Sequence, residues 1–487
     1  MSKTVLIKKE VYSYPDKESL FRPSEAYPEY PFAQEPSRTE NPVYDMVRQG
    51  LRMMGLDQEN FGKSEWNPLG AFVRPGNTVL IKPNMVMDVN LNGEGTECLY
   101  TQPSVVAAVA DYVIIALHGA GKIIIGDAPM QECNFENLLE TSGYGSLLEF
   151  YKQHCSGIEI SIEDFREVRS KTSRGVHYQD ELDVQNGREV ELGEYSEFYG
   201  DAEDKLDRLR ITNYNPEFMK QMHNTRRNVY YASNALLQAD VVINMPKPKT
   251  HRKAGVTIAL KNMVGICARK EYLPHHTLGS PAEGGDEYLH PMKTKALEDR
   301  LLDERNKAVW YKQYGKAKLI HWTFRAVHIM TKLCQKDAYR EGSWYGNDTI
   351  SRTIADLNKI VSYADKNGVI RSTPQRKSFV VADMIISGEK EGPLIPSPKK
   401  VGIIAMGDDP AGFDKTVAAI MGADISKLAF LRRVFSPKGG LNIADETEPE
   451  LISNDERWNG KTLDTLGEDG ILHYIPTEGW KEAFVNE

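Results

Sequence analysis

Basic side chains are gathered in one short segment of an acidic chain. Residues 246–262 read PKPKTHRKAGVTIALKN and hold five lysines and arginines and one histidine, without an aspartate or glutamate. The whole chain has 69 acidic and 60 basic residues, a formal net charge of −9. Crowded cations repel by roughly 1 kcal/mol per close pair even in water. Carboxylates from elsewhere in the fold, such as Asp127 or Asp409, could offset this repulsion, as could solvent screening or an anionic ligand.

The order of residues in this segment suggests which side chains act together. Lys247, Lys249 and His251 alternate, so in an extended loop they lie on one side. Pro246 and Pro248 stiffen the loop around them. His251 could act as a general acid or base because the ordinary pKa of histidine lies near neutrality. A hydrogen-bonding role in the fold is the other interpretation of His251.

The second half of the segment, AGVTIALKNMVG, is apolar enough to be buried. A buried lysine needs a partner or loses its charge, so Lys261 is either a functional residue or one half of a structural ion pair. Thr257 adds a hydroxyl group and Asn262 adds an amide. Arg252 and Lys253 could equally well lie on a solvated surface or contact a ligand.

The elements that must position these residues follow an α/β pattern. Short apolar runs predict buried strands at 78–84, 122–129 and 240–246, and a proline and a glycine bracket a helix at 103–119. Strand, helix and strand with short links form a βαβ unit. We therefore expect a mostly parallel sheet with flanking helices, built from Rossmann-like units. Ligands of such sheets bind beyond the carboxyl ends of the strands.

Polar residues follow each predicted strand, and together they define the candidate site. We expect His251 and Lys261 to transfer protons. The substrate-binding candidates are Lys82, Asn84, Asp127, Lys247, Lys249, Thr257 and Asn262. A hard cation such as Mg²⁺ could instead be held by carboxylates, for which the candidates are Asp127, Asp383, Asp409 and Asp414. His275, His276 and His290 offer another metal option.

The chain divides into segments by composition. We predict further helices at 228–239 and 347–365. The predicted parts are an extended N-terminal arm (1–70), a first α/β part (71–155), a polar, antiparallel or irregular insertion (156–225), a second α/β part (226–430) with a mobile loop at 270–292, and a C-terminal tail (431–487).

Several classes of protein do not fit the sequence. The acidic balance argues against nucleic-acid binding. The five cysteines form no CxxC pair, so we expect neither a zinc ribbon nor an iron–sulfur cluster. The common P-loop, GxGxxG, HExxH and GxSxG signatures are absent. No secretory leader or long apolar span stands out, which favours a cytoplasmic protein. Residues 318–334 fit a helix on a membrane surface, a helix packed on the domain, or a subunit interface.

The segments IKPNMV, GAGKIIIGDAP, ADVVINMPKPKTH, GVTIALKNMVG and GDDPAGFDKTVAAIMG occur in this order between about residues 75 and 430. In them the chain resembles the family catalogued as domain of unknown function 362. Many members of that family carry a ferredoxin-like cysteine segment, which this sequence lacks. The order of elements is also loosely similar to the nickel-pincer lactate racemase group, without a catalytic motif that aligns.

These observations lead us to expect an enzyme that binds a small phosphorylated or carboxylated metabolite and transfers protons, as a racemase, epimerase or group transferase. A metal-dependent or iron–sulfur redox protein is one alternative, and a non-catalytic protein that binds an acidic polymer or a membrane is another. The sequence identifies no cofactor, although a divalent cation would suit the carboxylates. It is compatible with an oligomer.

Overall fold

The computed structural model describes residues 2–32, 36–37, 39–173, 176–334, 337, 339–445 and 447–484. Its strands are β1 (Lys3–Lys8), β2 (Thr78–Pro83), β3 (Gly121–Asp127), β4 (Ile158–Asp164), β5 (Val168–Ser173), β6 (Val176–Glu181), β7 (Gly187–Glu191), β8 (Leu209–Arg210), β9 (Val229–Ser233), β10 (Val241–Met245), β11 (Lys249–His251), β12 (Gly255–Thr257), β13 (His276–Thr277), β14 (Lys377–Glu391), β15 (Ile395–Gly407) and β16 (Glu450–Ser453).

Helices cover the strands and join them. They are α1 (Pro42–Met53), α2 (Pro103–Leu117), α3 (Phe135–Ser142), α4 (Tyr144–His154), α5 (Glu203–Leu206), α6 (Pro216–Met222), α7 (Asn234–Gln238), α8 (Ala259–Asn262), α9 (Lys293–Trp310), α10 (Tyr314–Cys334), α11 (Thr349–Tyr363), α12 (Pro410–Met421) and α13 (Ala429–Phe435).

One ten-stranded sheet organises the molecule, with the strand order β16-β1-β15-β14-β10-β2-β3-β4 and with β11 and β12 attached beside β14. The neighbours from β14 to β4 along this order are parallel. Strand β15 runs antiparallel to both β1 and β14. The predicted α/β class with a mostly parallel sheet and flanking helices is therefore confirmed.

Both faces of the sheet are buried, which explains the continuous apolar runs of its strands. In β2, Val79 and Ile81 pack into one hydrophobic core with α1 and α2, whereas Leu80 packs into the other core with α11 and α12. Helix α2 begins with Pro103 in its first turn and ends where His118 adopts a left-handed φ of 47°. The β2–α2–β3 unit therefore places the ends of β2 and β3 side by side.

The structure differs from the sequence prediction in three segments. The helix predicted at 228–239 is wrong for its first half, where β9 pairs with β7 and only Asn234–Gln238 is helical. Strand β1, at the start of the chain, lies inside the main sheet between β15 and β16. Strand β4 extends the main sheet beside β3, and the antiparallel β5–β6 and β7–β9 pairs follow it.

Helices α9 and α10 form a hairpin over this part of the molecule, where the ring of Tyr314 lies 4.8 Å from that of Tyr178 in β6. Within the described ranges, no helix combines the length and the low polarity that crossing a membrane requires.

Candidate functional site

Two of the predicted anion-binding lysines are neutralised by buried carboxylates. Lys82 at the end of β2 lies 2.8 Å from the Oδ1 atom of Asp127 at the end of β3, and both side chains are buried. The Lys82 ammonium also donates to the Pro83 carbonyl, and Asp127 accepts the backbone N–H of Met85. Burial lowers the pKa of Lys82, and the charge of Asp127 opposes this. The pair joins the ends of two adjacent parallel strands.

Lys247, which follows β10, forms the second buried pair. Its Nζ atom lies 2.9 Å from the Oδ2 atom of Asp383 in β14. Tyr14 from the N-terminal region accepts a hydrogen bond from Lys247 and donates one to Asp383. Burial lowers the pKa of Lys247, and Asp383 again opposes the shift. The backbone N–H of Gln102 also donates to Asp383, so this cluster ties four distant segments together.

Lys249 in β11 has a different environment, since no carboxylate pairs with it in the described part of the chain. Its Nζ atom donates to the side-chain oxygen of Asn84 at 2.7 Å and to the carbonyl of Leu99 at 2.5 Å. Burial and the neighbouring ammonium groups of Lys247 and Lys261 lower the pKa of Lys249 to about 7. Lys249 thus holds Asn84 in place.

His251 is fixed by the turn between β11 and β12. Its Nδ1 atom accepts the backbone N–H groups of Lys253 and Ala254, each at 3.1 Å. The proton of the neutral ring therefore resides on Nε2. Burial and the nearby cations, Lys261 first, hold the pKa of His251 well below its usual range. In this state His251 can donate a hydrogen bond to a ligand through Nε2 but cannot accept one through Nδ1.

The short helix α8 presents Lys261. The first turn of α8 is held by Asp414, which accepts hydrogen bonds from the N–H groups of Ala259 and Leu260 at 2.7 and 3.0 Å. Lys261 is partly buried, and among the described residues its ammonium group has no hydrogen-bond or ion-pair partner. Burial and the charge of Lys270 lower the pKa of Lys261 to about 7, although Asp127 acts in the opposite direction.

Of the two neighbouring candidates, Asn262 has side-chain hydrogen bonds in the described structure and Thr257 has none. The Asn262 amide nitrogen donates to the Lys82 carbonyl at 3.0 Å and to the Asn244 side chain at 2.8 Å, so Asn262 braces the ends of β2 and β10. Thr257 is buried, yet its Oγ1 atom has no hydrogen-bond partner in the described structure. A buried hydroxyl group without a partner is unfavourable unless a ligand or a water molecule supplies one.

A cavity of about 300 Å³ joins these side chains, and we call it the anion cavity after the class of ligand that the sequence predicts. Asn84, Asp127, His251, Thr257, Lys261 and Asn262 all line it, whereas Lys82, Lys247 and Lys249 do not. The cations on its wall are Arg252, Lys253, Lys261 and Lys270, and the carboxylates are Asp127 and Glu132. Since Asp127 is already paired with Lys82, the lining is positive. Apolar side chains cover another part of the wall: Val86, Met130, Ile211, Val264, Leu273 and Leu394.

Three residues of this cavity were not among the predicted catalytic or substrate-binding residues. Lys253 is only 5% exposed, and burial lowers its pKa to about 8. The sequence was equally compatible with a surface position and a ligand contact for this residue. The Lys270 ammonium donates to the Ala128 carbonyl at 2.7 Å. His275 donates from Nδ1 to the Leu273 carbonyl at 2.8 Å, which leaves the Nε2 lone pair available. The Gly-rich context of 270–292 gave no signal that this segment forms a wall of the site.

The predicted metal ligands do not form one group in the described structure. Asp383 pairs with Lys247, and Asp409 caps α12 through the N–H groups of Ala411 and Gly412. His276 faces Glu287 at 3.9 Å, while His275 lines the anion cavity. Within the described ranges, no three His, Cys, Asp or Glu side chains are grouped as metal ligands would be.

Comparison with known proteins identifies the family of this chain but not an activity. No solved structure matches the chain. A thylakoid-associated protein of Synechocystis sp. is 30% identical over 202 residues, which cover 42% of this chain and 43% of that protein. The match therefore spans less than half of the relative's length. The family model described as Domain of unknown function (DUF362) matches residues 79–182 and 194–419, more than half of the chain. This chain therefore belongs to the DUF362 family.

Proposed function

We propose that the protein is an enzyme that binds a small carboxylated or phosphorylated metabolite in the anion cavity and transfers a proton through lysine and histidine. The observation that carries the proposal is Lys261, a partly buried lysine without a protein partner in the described structure. Lys253 and Lys270 add positive charge to the same wall. An anion would relieve the mutual repulsion of these groups.

The size and lining of the cavity limit the ligand. A volume of about 300 Å³ is at the lower end of ordinary ligand sites. The cations on the cavity wall and the free hydroxyl group of Thr257 would bind the anionic group of the ligand. Val86, Leu273 and Leu394 would cover a short apolar part. A small carboxylic acid or phosphate ester with a few carbon atoms fits this combination.

Proton transfer is supported by the protonation states of three groups. With a pKa of about 7, Lys261 exists as amine and ammonium in similar amounts at neutral pH. The Nε2 atom of His275 carries a lone pair, and the Nε2 atom of His251 carries a proton. A base and an acid around one bound anion suit the removal and return of a proton next to a carboxylate, as in racemisation or epimerisation. Group transfer is the second reaction class that the cavity would serve.

Isotope exchange tests the proposal directly. The purified protein is incubated in D₂O with a panel of single-enantiomer 2-hydroxy and 2-amino carboxylates, and the loss of the proton next to the carboxylate is followed by NMR. We expect exchange with one member of the panel and a loss of at least about 100-fold in Lys261→Met, since general acid–base catalysis contributes about that much. Lys122→Met is the matched control, because Lys122 pairs with Glu159 at the start of β3.

Calorimetry separates binding from catalysis. A bound anion stabilises the ammonium form of Lys261, so binding near pH 7 should take up a fraction of a proton. Titrations in two buffers of different ionisation enthalpy measure that uptake. Binding with proton uptake but without exchange for any ligand would contradict the racemase or epimerase reaction. The absence of both binding and exchange across the panel would contradict the proposed function as a whole.

A further inference from the structure

Helix α10 exposes a row of large apolar side chains. Leu319, Trp322, Ile329, Met330 and Leu333 are each between 58% and 82% exposed. Isolated exposed apolar residues are normal on protein surfaces, but five on one helix form a contiguous patch. Only Ala317 and Thr331 of this helix are buried. The apolar row is therefore available to something outside the described chain.

The five residues form a stripe along the helix. At about 100° of rotation per residue, their positions fall within an arc of roughly 100°. Ala317 and Thr331 lie on the opposite face, which packs towards α9 and β6. Hence the stripe is directed away from the body of the protein.

Cations border the stripe on both sides. The helix contains four lysines and arginines and no aspartate or glutamate, although the chain as a whole has a net charge of −9. Lys318, Arg325 and Lys332 lie along one border of the stripe, and Lys316 lies along the other. Long basic side chains can lay their alkyl stems on an apolar surface and extend their charges outward.

We propose that α10 docks on the surface of an anionic lipid bilayer, with its axis parallel to the membrane and its apolar stripe between the lipid headgroups. An apolar face flanked by lysine and arginine is the pattern of helices that lie in the membrane interface. Anionic headgroups attract the flanking cations by about 1 kcal/mol each. A symmetric pair of α10 helices would instead bring like charges together across the contact.

Docking in this orientation leaves the interior accessible. Phe324 and His328, on the face of α10 opposite the stripe, line a cavity of about 530 Å³. Arg252 lines that cavity and the anion cavity as well. A membrane against the stripe would not cover these residues, so docking and ligand binding can occur together.

Vesicle sedimentation of the full-length protein tests the docking surface. We expect binding to vesicles of phosphatidylcholine mixed with phosphatidylglycerol, and weaker binding to phosphatidylcholine alone or at high salt. Leu319→Ser should lower the partition coefficient about tenfold, because it removes one buried leucine. The triple variant Lys318→Glu, Arg325→Glu and Lys332→Glu should lower it at least about 100-fold. Leu91→Ser is the matched control, since Leu91 is 65% exposed outside α10.

Tryptophan fluorescence identifies the part that inserts. Trp322 is 64% exposed, whereas Trp66, Trp344, Trp458 and Trp480 are buried. We expect a blue shift on vesicle binding that is lost in Trp322→Phe although this variant still sediments. Equal binding of Leu319→Ser and the parent protein would overturn the proposal, as would the absence of binding to anionic vesicles at low salt. A dimer that Leu319→Ser dissociates would show that a second copy covers the stripe instead.

Discussion

Replacing Lys261 with methionine should stabilise the protein while it abolishes anion binding. Methionine keeps the apolar stem of the side chain and removes the charge. Burial and Lys270 lower the pKa of Lys261 from the ordinary 10.5 to about 7. At 1.36 kcal/mol per pKa unit this corresponds to roughly 5 kcal/mol of unfavourable free energy for the charged form. Because solvent still reaches the side chain, we expect a gain of about 2 kcal/mol in the free energy of unfolding at neutral pH.

The gain should depend on pH in a defined direction. Between pH 7 and about 10 the unfolded chain binds more protons at Lys261 than the folded chain does, so the stability contributed at this site rises with pH. Methionine does not titrate. The advantage of Lys261→Met over the parent protein should therefore be largest at pH 7 and below, and it should fade towards pH 10.

Urea denaturation of both proteins at several pH values measures this difference. Lys261→Met also removes a charge that lowers the pKa of Lys249, so the relief at Lys249 adds to the gain in the same direction. Calorimetric titration with small carboxylates and phosphates measures binding in parallel. The reasoning is refuted if Lys261→Met loses stability, if its gain does not change with pH, or if it binds anions as the parent protein does.

Two further substitutions test the framework around the site. Lys247→Met should cost about 3–5 kcal/mol of stability in urea denaturation, because Asp383 would be left as a buried charge without its cation. Adding Asp383→Leu should recover most of this loss. An equal loss in the single and the double variant would contradict this prediction. Gly255→Ala should cost more than about 1 kcal/mol, because Gly255 has a φ of +80° and a Cβ atom there would lie 2.6 Å from the Trp480 ring. Gly440→Ala is its control, since Gly440 has a φ of +77° and open space around it. If both variants lost the same stability, crowding against Trp480 would not be the cause.

Local patterns predicted three strands of the sheet, but neither the places of β1 and β4 in it nor every element beside it. The runs at 78–84, 122–129 and 240–246 became β2, β3 and β10, because strands buried on both faces have continuous apolar sequences. Residues 228–239 have a helical composition, yet the first half pairs with β7 as strand β9. That pairing partner lies about forty residues earlier in the chain, so a local window cannot reveal it.

The position of the candidate site was predictable, whereas the charge partners within it were not. Carboxyl ends of parallel strands meet at one edge, which places Asn84 and Asp127 around the same cavity. The partner of Lys247 is Asp383, more than one hundred residues away along the chain. Lys253 fitted a surface position because adjacent charges usually face solvent, but the turn after His251 directs it inward. These pairings are decided by long-range packing.

The basic segment shows two of the three ways in which its charges could be offset. The buried carboxylate of Asp383 neutralises Lys247. Solvent reaches the side chain of Arg252, which is 44% exposed and only 3.6 Å from Glu341. Neither solution is sufficient for Lys261, because it is partly buried and further cations lie around it. Paired lysines hold the sheet edge rigid with little dependence on a ligand, whereas the stability of an unpaired lysine depends on what occupies the cavity. An anion should therefore stabilise the parent protein against unfolding more than it stabilises Lys261→Met, even for ligands that are not turned over.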